Sequence, residues 1–156
     1  NVFIAENDIL IPQIRYATND SWELITALDS GNGYPIFHQA SYANGKLYVL
    51  TIPDNFSELY ELPREVLTII KRVMMKNFFV YTDSPSSVSL LVYDNNTFII
   101  YSFKEHNTDV NIVLDNKFSK VTDLLANREL TGYKENNKLV IKTAIGPHSY
   151  RVFRAE

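Results

Sequence analysis

The sequence predicts an α+β protein, with N-terminal strands and one helix over residues 1–78 followed by a mainly antiparallel β-sandwich over 79–156. Three observations lead there. One stretch with helical apolar spacing, "LPREVLTIIKRVMMKN", stands alone in the chain. From about residue 78, short alternating runs follow one another, separated by Asn, Asp, Gly or Pro. Tyrosine and phenylalanine number 10 and 9, and such rings suit a pleated surface.

Taken in order, "ILIPQIRYAT" and "SWELITALD" read as extended segments. Pro12 puts the first at an edge or a strand start, because proline cannot donate to a ladder. "YPIFHQASYANGKLYVLTIP" reads as a hairpin around Asn44-Gly45, residues that tolerate positive φ. In the helix Pro63 suits the first position, where its missing N–H costs nothing. Val66, Ile70, Val73 and Met74 recur at helical spacing and are expected to face a sheet. Glu65 in the first turn and Lys71, Arg72 and Lys76 toward the end agree with the helix dipole.

The later runs are "SSVSLLVYD", "TFIIYSFKE", "TDVNIVLD", "SKVTDLLA", "RELTGY", "KLVIKTA" and "HSYRVFRAE". Val88, Leu90 and Val92 share one face, as do Ile99, Tyr101 and Phe103, and Val110, Ile112 and Leu114. Residues 94–96 (DNN) and 135–137 (ENN) carry tight-turn chemistry. About seven such strands at regular spacing suggest a small sandwich.

Composition narrows the function. At 156 residues the chain suffices for one ordinary domain or two small ones. A net charge of −3 with both signs interspersed lacks the clustered basic face that nucleic acid requires. No run approaches the roughly 20 apolar residues of a bilayer span, so no membrane partner is expected. With no cysteine, the chain holds no disulfide, no thiolate nucleophile and no cysteine-based zinc site. It opens on Asn1 in mid-pattern, which reads as a piece of a longer polypeptide.

Several groups invite chemistry. Asp54 with Glu58 or Glu61 could pair for acid–base work or hold calcium, but the plainer reading is a turn after a strand and solvated acids before a helix. His38, His106 and His148 lie far apart without ligand spacing, so no metal is expected. No G-x-S-x-G elbow and no phosphate-cradling glycine loop occurs, so neither a catalytic residue nor a cofactor is assigned. Trp22, Tyr34, Tyr42, Tyr60 and Tyr133 are the candidates for sugar binding, as flat faces with Asn and Asp nearby. Against that, aromatics on strands usually pack into a core or across strands.

Two stretches resemble known families. "GYPIFHQASYANGKLYVLTIPDN" followed by "LYELPREVLTII" is similar to the end of the amidotransferase-like, trimerisation domain that follows the catalytic barrel in family 42 β-galactosidases. "VSLLVYDNNTFIIYSF", "VTDLLANRELTGY" and "HSYRVFRAE" look like the all-β C-terminal domain that ends many glycosidases, with Gly146-Pro147 before the last strand.

The resemblance implies a non-catalytic accessory region of a bacterial, cytoplasmic, soluble glycoside hydrolase. Its partners would be an upstream catalytic domain of the same polypeptide and further copies of the chain. Amidotransferase activity would need a cysteine nucleophile, which the sequence lacks. The alternative from another class is a carbohydrate-binding module that presents a row of exposed aromatics.

Overall fold

Strand pairing is antiparallel at every ladder of the computed structural model, which describes residues 21–28, 33–52 and 55–156. The run 9–18 with Pro12 lies outside the described residues. The fold is rich in strands, with one α-helix among the described residues. Among the described residues no helix is long and apolar enough to cross a membrane. By contacts the chain divides into two compact units, 1–66 and 67–156, and the division falls within the helix.

In the first unit, β1 (Ser21–Leu28), β2 (Gly33–Tyr42) and β3 (Gly45–Leu50) form a three-stranded sheet in that order. The hairpin is where the sequence puts it, but one residue earlier. Phe37 opposite Leu50 sets the register, so Tyr42 pairs with Gly45 and the turn residues are Ala43 and Asn44. Ala43 takes the left-handed conformation (φ 48°), while Gly45 is an ordinary strand residue. Ile36, Phe37 and His38 are buried in succession, so both faces of β2 are covered there.

A 3-10 helix (Phe56–Glu61) precedes α1 (Arg64–Met74), with Pro63 just before its first residue. Val66, Leu67, Thr68 and Ile70 are buried. Met74 shares the apolar stripe but closes the helix and is 76% exposed, contrary to the expectation from spacing. Helical phase says which side is apolar, not where the covering layer stops.

The second unit contains β4 (Val80–Asp83), β5 (Val88–Val92), β6 (Thr97–Ser102), β7 (Thr108–Asp115), β8 (Lys120–Asp123), β9 (Arg128–Thr131), β10 (Tyr133–Glu135), β11 (Lys138–Ile145) and β12 (Tyr150–Ala155). They make a four-stranded sheet, β10-β11-β7-β4, and a five-stranded sheet, β5-β6-β12-β8-β9. β4 and β10, of four and three residues, are not among the runs that the sequence marks as separate strands. The turn of residues 135–137 closes the β10–β11 hairpin, with Asn136 and Asn137 both left-handed (φ 47° and 59°).

One buried cluster draws on both sheets. Val80, Ile112, Leu114 and Ile141 come from the four-stranded sheet, and Phe98, Ile100, Val121 and Phe153 from the five-stranded one. Phe98 and Phe153 are cross-strand partners whose rings stack with centroids 5.2 Å apart. Alternation in β6 offers the apolar row Ile99, Tyr101 and Phe103, yet the buried row is Phe98, Ile100 and Ser102. Both rows are apolar, so the period alone cannot choose the inward one.

A polar link also joins the two sheets. Arg151 of β12 donates from Nε to Asp123 Oδ2 of β8 (2.6 Å) and from Nη1 to Thr143 Oγ1 and the Ala144 carbonyl of β11. The chain itself passes from one sheet to the other at Gly132, between β9 and β10. A Cβ there would lie 1.9 Å from the Val140 carbonyl oxygen, so only glycine allows this approach.

Candidate functional site

The acidic loop is built around Asn55, which accepts from the Ser57 N–H (3.3 Å) and the Ser57 hydroxyl (2.7 Å) and caps the 3-10 helix. Asn55 Nδ2 also donates to Glu58 Oε1 (3.2 Å), so that carboxylate is engaged in a local turn. Asp54 lies outside the described residues. Among the described residues no cluster of His, Cys, Asp or Glu is arranged to hold a metal ion. His38 is buried in β2, whereas His148 meets Glu105 at 3.0 Å on the surface of the second unit.

The candidate aromatics are scattered. Trp22, Tyr42 and Tyr60 are 61%, 73% and 52% exposed. Trp22 opposes Gln39, so it shares that residue's face, while Tyr42 stands three residues further along β2 on the other face. Tyr60 belongs to the 3-10 helix, and the Tyr34 side chain lies outside the described residues. Tyr133 lines a groove.

That groove, of about 440 Å³, lies on the outer face of the four-stranded sheet in the second unit. Strand register explains it. Tyr133 pairs with Val140, Val140 with Val113, and Val113 with Tyr81, so one row crosses all four strands. Tyrosines end the row and two valines floor it. On one side the next row carries Glu135 and Lys138; on the other it carries Asn111 and Asp83. Arg72 and Phe78 help to wall the Tyr81 end, with the Arg72 guanidinium 5.4 Å from the Tyr81 ring centroid.

The polar groups are held in place by neighbours. Asp83 accepts from Thr68 Oγ1 (3.0 Å) of α1 and from Asn111 Nδ2 (3.1 Å), and Lys138 pairs with Asp115 at 2.7 Å. Asn111 therefore has an amide N–H engaged. The lining offers donors and acceptors together, beside a half-exposed tyrosine.

The outer face of the five-stranded sheet has a different character. Ser89, Tyr101 and Tyr150 form one cross-strand row, and Leu91, Ile99 and Val152 the next. Phe103 follows Tyr101 on the same face, with ring centroids 4.4 Å apart. Leu91, Phe103 and Tyr150 are about half exposed. Neighbouring exposed apolar side chains of this kind make the face a candidate interaction surface.

Two charges are perturbed. Burial alone would raise the Asp123 carboxyl, but hydrogen bonds from the Ala126 N–H, Arg151 and the Leu125 N–H outweigh it and hold it below the ordinary value. Lys120 is held above its ordinary value by the hydrogen bond to Glu129, aided by the charges of Glu129 and Glu156. Neither lies in the groove.

Known families match the chain in two places. Residues 79–155 match the family described as "Probable glycosyl hydrolase, C-terminal domain". Residues 2–55 match the second domain of the uncharacterized protein SSO3021. Among solved structures, Gan42B, a GH42 β-galactosidase, aligns over 77% of this chain with 16% identity and a TM-score of 0.39. The chain spans 15% of the length of Gan42B. No curated protein matches it.

Proposed function

We propose, from the match of residues 79–155 to the family of probable glycosyl hydrolase C-terminal domains, that this chain is a non-catalytic accessory region of such an enzyme. Its work is to brace the catalytic domain of the same polypeptide. The observation that carries this reading is the apolar outer face of the five-stranded sheet, with Leu91, Ile99, Tyr101, Phe103, Tyr150 and Val152 on one side. Such a face is stabilised when a partner surface removes it from water.

We read the two sheets of the second unit as a β-sandwich, a view supported by the single cluster they share. The division at residue 78, with an amidotransferase-like and trimerisation-type portion before it, belongs to the same proposal. The engagement of Glu58 with Asn55 supports a structural role for the acidic loop.

The test uses the parent polypeptide. Tyr101→Lys together with Phe103→Glu should leave glycoside hydrolysis at low temperature unchanged, lower the temperature of thermal inactivation and expose a protease-sensitive joint. Inactivation at the parental temperature with unchanged protease resistance would sink the bracing role. So would a reading frame that encodes no barrel-sized domain ahead of Asn1. If light scattering shows the double variant losing subunits, the face serves another copy of the chain instead of the catalytic domain.

A further inference from the structure

We infer that the groove between Tyr133 and Tyr81 is a binding site for a short neutral oligosaccharide; the choice of ligand class rests on the reading of the chain as part of a glycosyl hydrolase. Strands in a sheet stand about 4.7–4.9 Å apart, so the two tyrosines, three strands apart, are separated by about 14 Å at their backbones. A groove of that span suits a ligand of more than one ring. Its two valines are buried and form a low floor, while Tyr133 is 46% exposed and rises at one end.

The chemistry of the walls selects among ligands. Arg72, Lys76 and Lys138 carry donors, whereas Glu135 carries acceptors and the Asn111 amide carries both, so both kinds of partner line the groove. A sugar hydroxyl is donor and acceptor at once and uses such a mixture fully. Arg72, Lys76 and Lys138 stand against Asp83 and Glu135, so the charges of the lining nearly balance and single out neither a polyanion nor a polycation. A purely apolar ligand would take Glu135 and the cations of the lining out of water with no hydrogen bond in return. The apolar face of a pyranose ring fits the open side of Tyr133, in the way flat rings and tyrosines share contact area.

The site differs from the aromatic set that the sequence suggests. Trp22 and Tyr42 stand on opposite faces of another sheet and offer no common surface. Tyr133 gains its companions only through pairing with β11, β7 and β4.

The experiment titrates the chain with neutral β-linked oligosaccharides of galactose, glucose, xylose and mannose, followed by calorimetry and by amide NMR shifts. At least one series should bind saturably and shift amides of β10, β11 and β7. Tyr133→Ala should weaken that binding about tenfold, as loss of a central aromatic contact does. Tyr133→Phe should retain it, and Arg72→Ala should weaken it with the circular dichroism spectrum unchanged. Binding by none of the series, or binding that survives both Tyr133→Ala and Arg72→Ala, overturns the inference. So does binding lost only on Trp22→Ala. Because Tyr133 lies off the apolar face, failure here leaves bracing to be decided separately by the inactivation temperature of the Tyr101/Phe103 variant.

Discussion

Arg151 Nε donates to Asp123 Oδ2 across 2.6 Å, and the same guanidinium reaches Thr143 and Ala144 on the other sheet. Asp123 is almost wholly buried, with its second oxygen accepting from the Leu125 and Ala126 N–H groups (3.0 Å each). Removing one member of a buried pair leaves the other uncompensated, at about 3–5 kcal/mol. Since the Arg151 side chain keeps 23% exposure, Asp123→Ala should cost about 3 kcal/mol, at the low end of that range. Urea unfolding at neutral pH measures it.

The same carboxylate gives the acid limb of stability a sign. Its folded value lies below the ordinary 3.8, so the native state favours the ionised form. The stabilisation is complete above the unfolded value and is lost as pH falls through the folded one. Stability should therefore fall on acidification below about pH 4. Asp123→Asn should flatten that slope. An equal slope in both proteins, by urea titration at several pH values, would assign the acid sensitivity elsewhere.

Gly132 passes the chain between sheets against the Val140 carbonyl. Gly132→Ala must push backbone apart, and overpacking of this kind costs about 1–3 kcal/mol. Thermal unfolding should show the loss. Amides of β9 and β10 should exchange first, because the strain falls on their junction.

Asn137 holds a left-handed conformation (φ 59°) at the β10–β11 turn. Asn137→Ala should destabilise by about 1 kcal/mol, since a Cβ without a helping polar group is disfavoured there. Asn137→Gly should be close to neutral. The pair of unfolding curves separates backbone conformation from the side-chain bond that Asn137 accepts from Asn116.

Glu58→Gln in the proposed parent hydrolase should leave its turnover unchanged, because Asn55 can donate to an amide oxygen as it does to the carboxylate. A large loss of turnover would return the acidic loop to candidacy as catalytic machinery.

Much of this was legible in the chain. Strict alternation in "TDVNIVLD" names Val110, Ile112 and Leu114 as one face, and all three are buried. The paired asparagines of 136 and 137 announce their turn, and the one strong helical stretch is α1. These features are local: a period of two or 3.6, or a residue able to adopt positive φ, is decided within a few positions of itself.

What only the tertiary structure decided lies across strands. "TFIIYSF" offers two apolar rows, and packing against the opposing sheet took Phe98 and Ile100 inward and left Tyr101 and Phe103 outside. Tyr81 and Tyr133 sit 52 residues apart in sequence and become the two ends of one row because β10, β11, β7 and β4 pair in that order. Strand order and register follow from long-range burial, which no local pattern contains. The sequence by itself marked the longer strands and most turns; the order of pairing, which brings in the short β4 and β10, made the groove.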